Sequence, residues 1–356
     1  MMESGNGNLL TADAEALVNT VNCVGVMGKG VALQFKQAFP ENYRRYVQAC
    51  AAHEVQPGHM FVVPTESLLN PRFIINFPTK RHWKARSRLE DIESGLTALI
   101  ETVRQYDIHS IAIPALGCGN GGLHWPDVKP RIEAAFADLS DVQVILFGPG
   151  RAPETTEMPV ATSRPRMTLA RAVLVLILER YGIPGYRLTL LEVQKLAYFL
   201  QVAGVPFRLD WAKGPYGPYA ESLNHVMQRM EGHYLRGYGD RSRQATIYPL
   251  PEASEAARAF LATTPEAEQP LARVSQLIEG FETPHSMELL ATVHWVTQED
   301  SAAAADAAVA VDRVHAWSER KRELLKAEHI RKAWQRLHDE QWLPVIATEE
   351  VMLARQ

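Results

Sequence analysis

The first 150 residues alternate two hydrophobic patterns. Short apolar runs, typical of buried strands, alternate with stretches whose apolar residues recur every three or four positions, typical of helices. Leu89–Arg104 is the clearest amphipathic helix among them. Such alternation predicts an α/β domain, with a sheet covered by helices on both faces. The predicted elements, in chain order, are Ala16–Val21, Val31–Phe39, Glu41–His53, Gly58–Pro64, Arg72–Phe77, Leu89–Arg104, Ser110–Leu116, Pro126–Leu139 and Asp141–Phe147.

The second half of the chain has a different pattern. From Thr168 onward, helix-forming residues dominate and helical spacing recurs almost continuously. Arg151–Met167 has no periodicity and several prolines, which predicts a linker. We therefore predict an α/β domain at 1–150, a linker at 151–167 and a mainly α-helical domain at 168–356, as a length of 356 residues also favours. Its predicted helices are Leu169–Tyr181, Leu190–Val202, Ala220–Met230, Ser254–Ala262, Leu271–Phe281, Ser286–Val296, Ala302–Trp317 and Ala327–Gln341.

Composition narrows the class of protein. A formal net charge of −4 argues against a sequence-blind nucleic-acid binder, so any contact with DNA must be local. Cys23, Cys50 and Cys118 have neither zinc-site spacing nor a disulfide framework, which favours a reducing cytoplasm and no metal. The polar N-terminus lacks a signal peptide, and the longest apolar run, Ala172–Leu178, is too short to span a bilayer. We expect a cytoplasmic protein with no membrane partner and no cofactor.

Two glycine-rich loops follow predicted strands. Ala16–Leu33 passes from a strand through Asn19 and Asn22 to glycines at 25, 28 and 30, and then into a helix. Backbone N–H groups and a helix N-terminus at one point suit a phosphate, although a tight strand–helix turn explains this loop equally well. Its spacing fits neither a Walker A loop nor a dinucleotide fingerprint. A second strand, Ser110–Leu116, also ends in a glycine loop, so the two loops together can hold a diphosphate from two sides.

The motifs in this order resemble the macrodomain family, whose members bind ADP-ribose and have a mixed sheet flanked by helices. The resemblance covers about 150 residues and is carried by Asn8-Leu9-Leu10, V-N-T-V-N, G-V-M-G-K-G-V-A and P-A-L-G-C-G. Residues 76–83, N-F-P-T-K-R-H-W, are similar to the signature of DarG-type antitoxins, which remove ADP-ribose from DNA bases modified by a DarT-type toxin.

The resemblance implies the ligand-binding residues. The asparagine at the place of Asn22 bonds the proximal ribose in macrodomains, although a turn-forming role also explains it. Asn8 stands where many macrodomains have an aspartate that contacts adenine, and its amide can accept the same bond. The residues expected to contact ADP-ribose are Asn8, Leu9, Asn22, Val26, Met27, Gly28, Lys29, Gly30, Thr79, Gly117, Cys118, Gly119, Asn120, Gly121, Gly122 and Leu123.

Lys80 is the expected catalytic residue. No pair of acidic residues lies at the glycine loops, and Gly121 stands where some related glycohydrolases have an aspartate. The lysine at this motif is catalytic in proteins that resemble this one. Neighbouring cations such as Arg81 and Lys84 are expected to lower its pKa and favour a nucleophilic amine, and Lys80 is expected either to attack or to polarise the anomeric centre. A solvated basic face is the alternative reading. We read Cys118 as a small residue chosen for fit, because no partner base is evident.

The basic stretch after Lys80 suggests a DNA contact. Cations can bind the phosphates of a modified, single-stranded substrate, and Trp83 can stack on an unpaired base. Trp83 as a packing residue and His82 as a structural residue are the alternatives. The residues assigned to DNA are Arg81, His82, Trp83 and Lys84.

The helical half carries no comparable chemistry. Trp211–Tyr219, with Val193–Phe199 upstream, is similar to the helical domains of several antitoxins, which implies binding of the cognate toxin. Core packing explains the same interleaved glycine, proline and tyrosine. Two other functions remain open: a reader that binds ADP-ribose without cleaving it, and a transcriptional regulator whose helical half binds DNA. The second is disfavoured because acidic residues slightly outnumber basic ones in residues 151–356.

Overall fold

The computed structural model describes residues 1–150, 158–182, 186, 188–239, 246–264, 266 and 268–344. The chain forms two compact units, the first from Met1 to Ser163 and the second built almost entirely from Arg164 onward. The first unit continues past Gly150, because Met158 is buried and the Ala161 N–H bonds the Gln37 carbonyl. Residues 151–157 of the predicted linker lie outside the described residues, and the predicted domain boundaries stay a prediction.

A mixed sheet forms the centre of the first unit. Within its described residues the strands lie in the order β1-β6-β5-β2-β4-β3, and all neighbours are parallel except β3, which runs antiparallel to β4. The predicted α/β class is confirmed. The elements are β1 (Met2–Ser4), a 3-10 helix (Leu9–Thr11), β2 (Ala16–Asn22), α1 (Gly30–Ala38), α2 (Pro40–Ala51), β3 (Phe61–Pro64), β4 (Phe73–Lys80), α3 (Leu89–Gln105), β5 (Ser110–Pro114), α4 (Trp125–Ala135) and β6 (Gln143–Phe147).

The sheet buries both faces, because successive side chains of a strand point to opposite sides. On β4, Ile75 and Phe77 pack into a core with helix residues such as Ile92. Ile74, which directly precedes Ile75, points the other way and joins the opposite core with Phe35 of α1. Strands buried on both faces are nearly continuously apolar, which is the pattern that the sequence shows.

Two strands differ from the prediction. The polar segment Met2–Ser4 forms an edge strand on β6, where burial is slight and an apolar pattern is unnecessary. β4 was predicted to end at Phe77, but it continues to Lys80. A proline inside a strand removes one hydrogen bond of the ladder. Pro78 is tolerated because β3 pairs with β4 only as far as Asn76, so at Pro78 the strand has a partner, β2, on one side only. Lys80 is therefore held by the sheet itself.

The second unit is mainly helical. Its described helices and strands are α5 (Leu169–Tyr181), α6 (Leu190–Val202), β7 (Ala212–Gly214), β8 (Gly217–Tyr219), α7 (Glu221–Met230), β9 (Leu235–Arg236), β10 (Tyr248–Pro249), α8 (Pro251–Leu261), α9 (Glu268–Ile278), α10 (Pro284–Glu299), α11 (Ser301–Ala305), α12 (Ala307–Trp317), α13 (Glu319–Leu324) and α14 (Ala327–Asp339). The helix predicted at Ala302–Trp317 is two helices, because Asp306 is extended and its carboxylate caps α12 at Ala308 N–H.

The Trp211–Tyr219 motif forms the β7–β8 hairpin, which covers a buried charged cluster. The Lys195 ammonium donates to the Pro218 carbonyl at 2.7 Å, and Glu288 accepts from Lys321 at 2.8 Å. Gly217 and Pro218 are buried, whereas Tyr216 at the turn is 47% exposed. The motif therefore packs through its glycine and proline and leaves a tyrosine at the surface. Among the described residues, none of the helices combines the length and apolarity needed to cross a bilayer.

Candidate active site

Three parallel strands bring their carboxyl ends to one edge of the sheet, where functional groups of open sheets collect. Asn22 at the end of β2 is in register with Lys80 at the end of β4. We call residues 23–29, which follow β2, the first loop, and residues 117–123, which follow β5, the second loop. A Cβ on Gly30, just after the first loop, would lie 3.0 Å from Asn120 Nδ2 of the second. The two loops are therefore adjacent, as predicted.

The first loop is shaped by Asn22. Its Oδ1 accepts from the N–H groups of Val24 at 3.0 Å and Val26 at 3.3 Å, and its Nδ2 donates to the Val26 carbonyl at 2.5 Å. The buried Tyr46 hydroxyl donates to the Asn22 carbonyl at 2.6 Å. Asn22 thus has the turn-forming role, and because its Nδ2 carries a second hydrogen besides the one donated to Val26, the contact to a ribose hydroxyl stays a prediction.

A buried asparagine network supports this loop, and sequence reasoning assigned it no role. Asn76 Oδ1 accepts from Asn19 at 2.9 Å and from Asn42 at 3.2 Å, while Asn76 Nδ2 donates to Asn42 Oδ1 at 2.7 Å. Asn19 also contacts the sulfur of Met27 in the first loop at 3.8 Å. The network joins β2, β4 and α2 to the loop. Its signal was present in the sequence as asparagines within apolar strand runs, where a buried amide needs partners.

The second loop is a close-packed turn in which two glycines have no substitute. Gly117 has a φ of +70°, and a Cβ on Gly121 would lie 2.1 Å from the Gly117 carbonyl and 2.4 Å from Ser87 Oγ. The Ser87 N–H donates to the Gly121 carbonyl at 3.0 Å. This packing leaves no room for an aspartate at 121. Gly119 differs, because it is exposed and a Cβ there meets nothing within 4 Å.

Lys80 reaches the second loop. Its ammonium donates to the backbone carbonyl of Asn120, which places the amine where the two loops meet. Partial burial lowers the pKa of Lys80 by removing water from the charged form. The expectation that neighbouring cations lower this pKa is wrong, because desolvation is the cause and Arg81 is neutralised by Asp91, 3.0 Å away.

The remaining predicted ligand residues fall into two groups. The side chains of Leu9, Met27 and Thr79 are buried, so these residues can offer a ligand only their backbone. Asn8 caps the 3-10 helix, since its Oδ1 accepts from Leu10 N–H at 3.0 Å. At the surface of the loops lie Val26, Lys29, Gly119, Asn120 and Gly122, with Gly28, Gly30, Cys118 and Leu123 partly exposed.

The segment after Lys80 is an exposed basic surface. Trp83 is 49% exposed, its ring lies 5.6 Å from that of His82, and the Lys84 ammonium sits 4.9 Å from the ring centre. Arg86 and Arg88 are also exposed. An exposed indole flanked by cations can stack on a base while the cations face phosphates. The alternative, a partly buried packing residue, stays open, because about half of the Trp83 side chain is covered.

Neither loop cysteine is set up as a nucleophile. Burial raises the pKa of the Cys118 thiol above its usual range, and it raises the pKa of the Cys23 thiol to about 11, so both stay protonated at neutral pH. Cys23 donates its S–H to the Lys80 carbonyl at 3.3 Å. Among the described residues, no group of three or more histidine, cysteine or acidic side chains is arranged to hold a metal ion.

Two solved macrodomain structures are similar in sequence to the first part of this chain. The macrodomain of Mycobacterium tuberculosis DarG is 55% identical with a TM-score of 0.42, covering 42% of this chain and 99% of that one. The macrodomain of Thermus aquaticus DarG is 54% identical with a TM-score of 0.41, covering 42% and 99%. A Macro domain family model matches residues 18–132, which contain most of β2, all of β4 and both loops.

Curated relatives extend the similarity beyond the first unit. A Thermus aquaticus protein named DNA ADP-ribosyl glycohydrolase is 49% identical over 321 residues, 90% of this chain and 89% of that one. A Mycobacterium tuberculosis protein of the same name is 42% identical over 354 residues, 95% of this chain and 99% of that one. A Thermosipho africanus protein named a DNA ADP-ribosyl transferase–DNA ADP-ribosyl glycohydrolase fusion is 36% identical over 43% of this chain and 44% of its own. With such identity over most of both chains, this protein belongs to the DNA ADP-ribosyl glycohydrolase (DarG) family of macrodomain enzymes.

Proposed function

We propose that this chain hydrolyses the N-glycosidic bond between ADP-ribose and a DNA base, with Lys80 as the catalytic group. The observation that carries the proposal is the contact of the Lys80 amine with the Asn120 carbonyl, at the meeting point of the two glycine loops. Loops that present backbone N–H groups suit the diphosphate, and they hold the substrate while the amine faces the anomeric carbon.

The chemistry needs one nucleophile and no metal. A neutral Lys80 amine attacks the anomeric carbon as the bond to the base breaks, the electron pair leaves with the base, and the proton from the amine passes to the base. Water then replaces the amine, which releases ADP-ribose and restores Lys80. Desolvation favours the neutral amine at the start of this sequence. The backbone carbonyl of Asn120 orients the nitrogen.

The exposed basic surface supports a single-stranded DNA substrate. Trp83 and Lys84 come shortly after β4, which ends at Lys80. A single strand of DNA bound to these two residues therefore passes Lys80. An overall charge of −4 keeps this contact local. Free Cys23, Cys50 and Cys118 are compatible with the cytoplasm as the place of action.

Incubation with an ADP-ribosylated single-stranded oligonucleotide tests the activity directly. We expect free ADP-ribose and the unmodified oligonucleotide as products, separated by chromatography. Binding of ADP-ribose with no release from any modified oligonucleotide would instead identify a reader.

The packing of the second loop predicts a matched pair of variants. Gly121→Ala forces a Cβ against the Gly117 carbonyl and Ser87, so the loop must shift. We expect its affinity for ADP-ribose to fall about tenfold. Gly119→Ala, which adds the same methyl group to open space, is expected to bind within about twofold of the parent. Calorimetry with ADP-ribose measures both, and equal affinities would remove the second loop from the binding site.

We also propose that the second unit binds and blocks a DarT-type toxin. Its support is the resemblance of the β7–β8 hairpin and α6 to antitoxin domains, together with the transferase–glycohydrolase fusion named above. Each unit has its own core, so a fragment that begins at Arg164 is expected to hold a catalytically dead toxin in a pull-down. The fragment Met1–Ser163 is expected to release ADP-ribose without binding the toxin. Capture by that fragment alone would reverse the two assignments.

A further inference from the structure

A cavity of about 600 Å³ lies beside the active lysine and has no role in the reaction described above. Arg81, one of its lining residues, directly follows Lys80, and Leu123 ends the second loop. The cavity therefore touches both the catalytic strand and the loop expected to hold the diphosphate. The other lining residues are Ser87, Arg88, Leu89, Glu90 and Asp91.

The lining is chemically mixed rather than cationic. Two arginines are balanced by Glu90 and Asp91, and Arg81 bonds Asp91 at 3.0 Å, so the cavity has little net charge to attract a phosphate. Leu89 and Leu123 supply apolar surface. Apolar walls with a few donors and acceptors suit a nucleobase, whose faces are apolar and whose edges carry hydrogen-bonding groups.

One polar group in the lining lacks a partner. In the described part of the chain, the buried Ser87 hydroxyl makes no hydrogen bond, although buried polar groups are nearly always paired. Asp91 is also nearly buried, with 8% of its side chain exposed, and its carboxylate meets the exposed Arg81 guanidinium. A base edge entering the cavity would meet the Asp91 carboxylate and the Arg81 guanidinium, and it would reach the Ser87 hydroxyl, which lies against Gly121 of the second loop, only after a local shift.

We propose that this cavity receives the unpaired base next to the ADP-ribosylated nucleotide, and so makes release depend on the neighbouring sequence. The inference rests on the proposed glycohydrolase function. Single-stranded DNA has rotatable, unstacked bases, and a neighbour turned into the cavity would fix the strand over Lys80. Hydrogen bonds to its edge discriminate among bases.

A panel of modified single-stranded oligonucleotides tests this proposal. In each, one neighbour of the modified base, on the 5′ or the 3′ side, is one of the four bases or an abasic site. We expect kcat/KM to vary by about tenfold with the identity of the neighbouring base on one side of the modified nucleotide. An abasic site at that same position is expected to raise KM and to leave kcat unchanged. Equal kcat/KM for every neighbour would overturn the proposal but leave the glycohydrolase function intact. Absence of release from every oligonucleotide would instead overturn the function itself.

Variants locate the effect in the cavity. Asp91→Asn and Ser87→Ala are expected to level the preference among neighbours to within about twofold, with thermal melting used to verify folding. Asp107→Asn is the matched control, because it makes the same chemical change at a side chain that is 92% exposed and lies outside the cavity lining. The backbone of Asp107 has a positive φ, which asparagine also adopts, so this variant is expected to fold normally. A full preference kept by folded Asp91→Asn and Ser87→Ala would place base reading elsewhere.

Discussion

Lys80→Ala is expected to abolish release of ADP-ribose from modified DNA while free ADP-ribose still binds. The variant removes the amine that contacts the Asn120 carbonyl but leaves both glycine loops in place. The rate should fall on the order of 1,000-fold or more, as it does when a covalent nucleophile is lost. Affinity for ADP-ribose should stay within about threefold, since the loops supply the binding. Single-turnover release and calorimetry measure the two quantities, and turnover within severalfold of the parent would exclude Lys80 from the reaction.

Lys80→Arg separates the two ways in which a lysine can act. Arginine keeps the positive charge but stays protonated, so it cannot attack carbon. We expect Lys80→Arg to be as inactive as Lys80→Ala. Substantial turnover by Lys80→Arg would show that a cation near the anomeric carbon is sufficient.

The pH dependence of the parent follows from the same chemistry. Burial disfavours the charged form of Lys80, so the folded protein has its pKa below the usual range of lysine. Since the neutral amine is the reactive form, kcat/KM should rise with pH and level off above that lowered pKa. A rate that falls as Lys80 loses its proton would indicate electrostatic catalysis by the ammonium instead.

The sequence was sufficient for the architecture of the first unit because its strands are buried on both faces. Within Arg72–Phe77, the residues Phe73–Ile75 are apolar at successive positions, which is typical of a strand covered on both faces. The hydrophobic pattern does not predict the edge strand Met2–Ser4, because this strand pairs through backbone hydrogen bonds to β6 and buries little apolar surface. Ala302–Trp317 was predicted as one helix because alanine favours a helix strongly, yet the cap at Asp306 divides it.

The motifs indicated the candidate site, but not the hydrogen bonds that hold its residues in place. The glycine positions were evident from local spacing and the role of Lys80 was implied by the resemblance, and the structure places Lys80 against the second loop. The bonds from Asn19 and Asn42 to Asn76 join separate elements, so no local pattern predicts them. The lowered pKa of Lys80 shows the same limit. The cations next to it in the sequence suggested that charge repulsion lowers this pKa, whereas the cause is burial, which depends on the tertiary structure.

Gly119→Glu is expected to eliminate both ADP-ribose binding and turnover. Gly119 is exposed and open, so the larger side chain fits without disturbing the fold. Its carboxylate would stand in the loop proposed to hold a diphosphate. At roughly 4 Å and an effective dielectric constant of about 20, one pair of like charges costs about 4 kcal/mol, enough to lower affinity on the order of 100-fold or more.

Gly119→Gln provides the matched control, because glutamine has nearly the same size and flexibility as glutamate but no charge. We expect it to bind ADP-ribose within about tenfold of the parent, since it adds bulk without repulsion. Calorimetry at low and high salt separates the two effects, because screening should restore part of the affinity of Gly119→Glu and leave that of Gly119→Gln unchanged. Equal losses in both variants would mean that size, and not charge, decides the outcome. Unchanged affinity in a folded Gly119→Glu would mean that the second loop is only a turn.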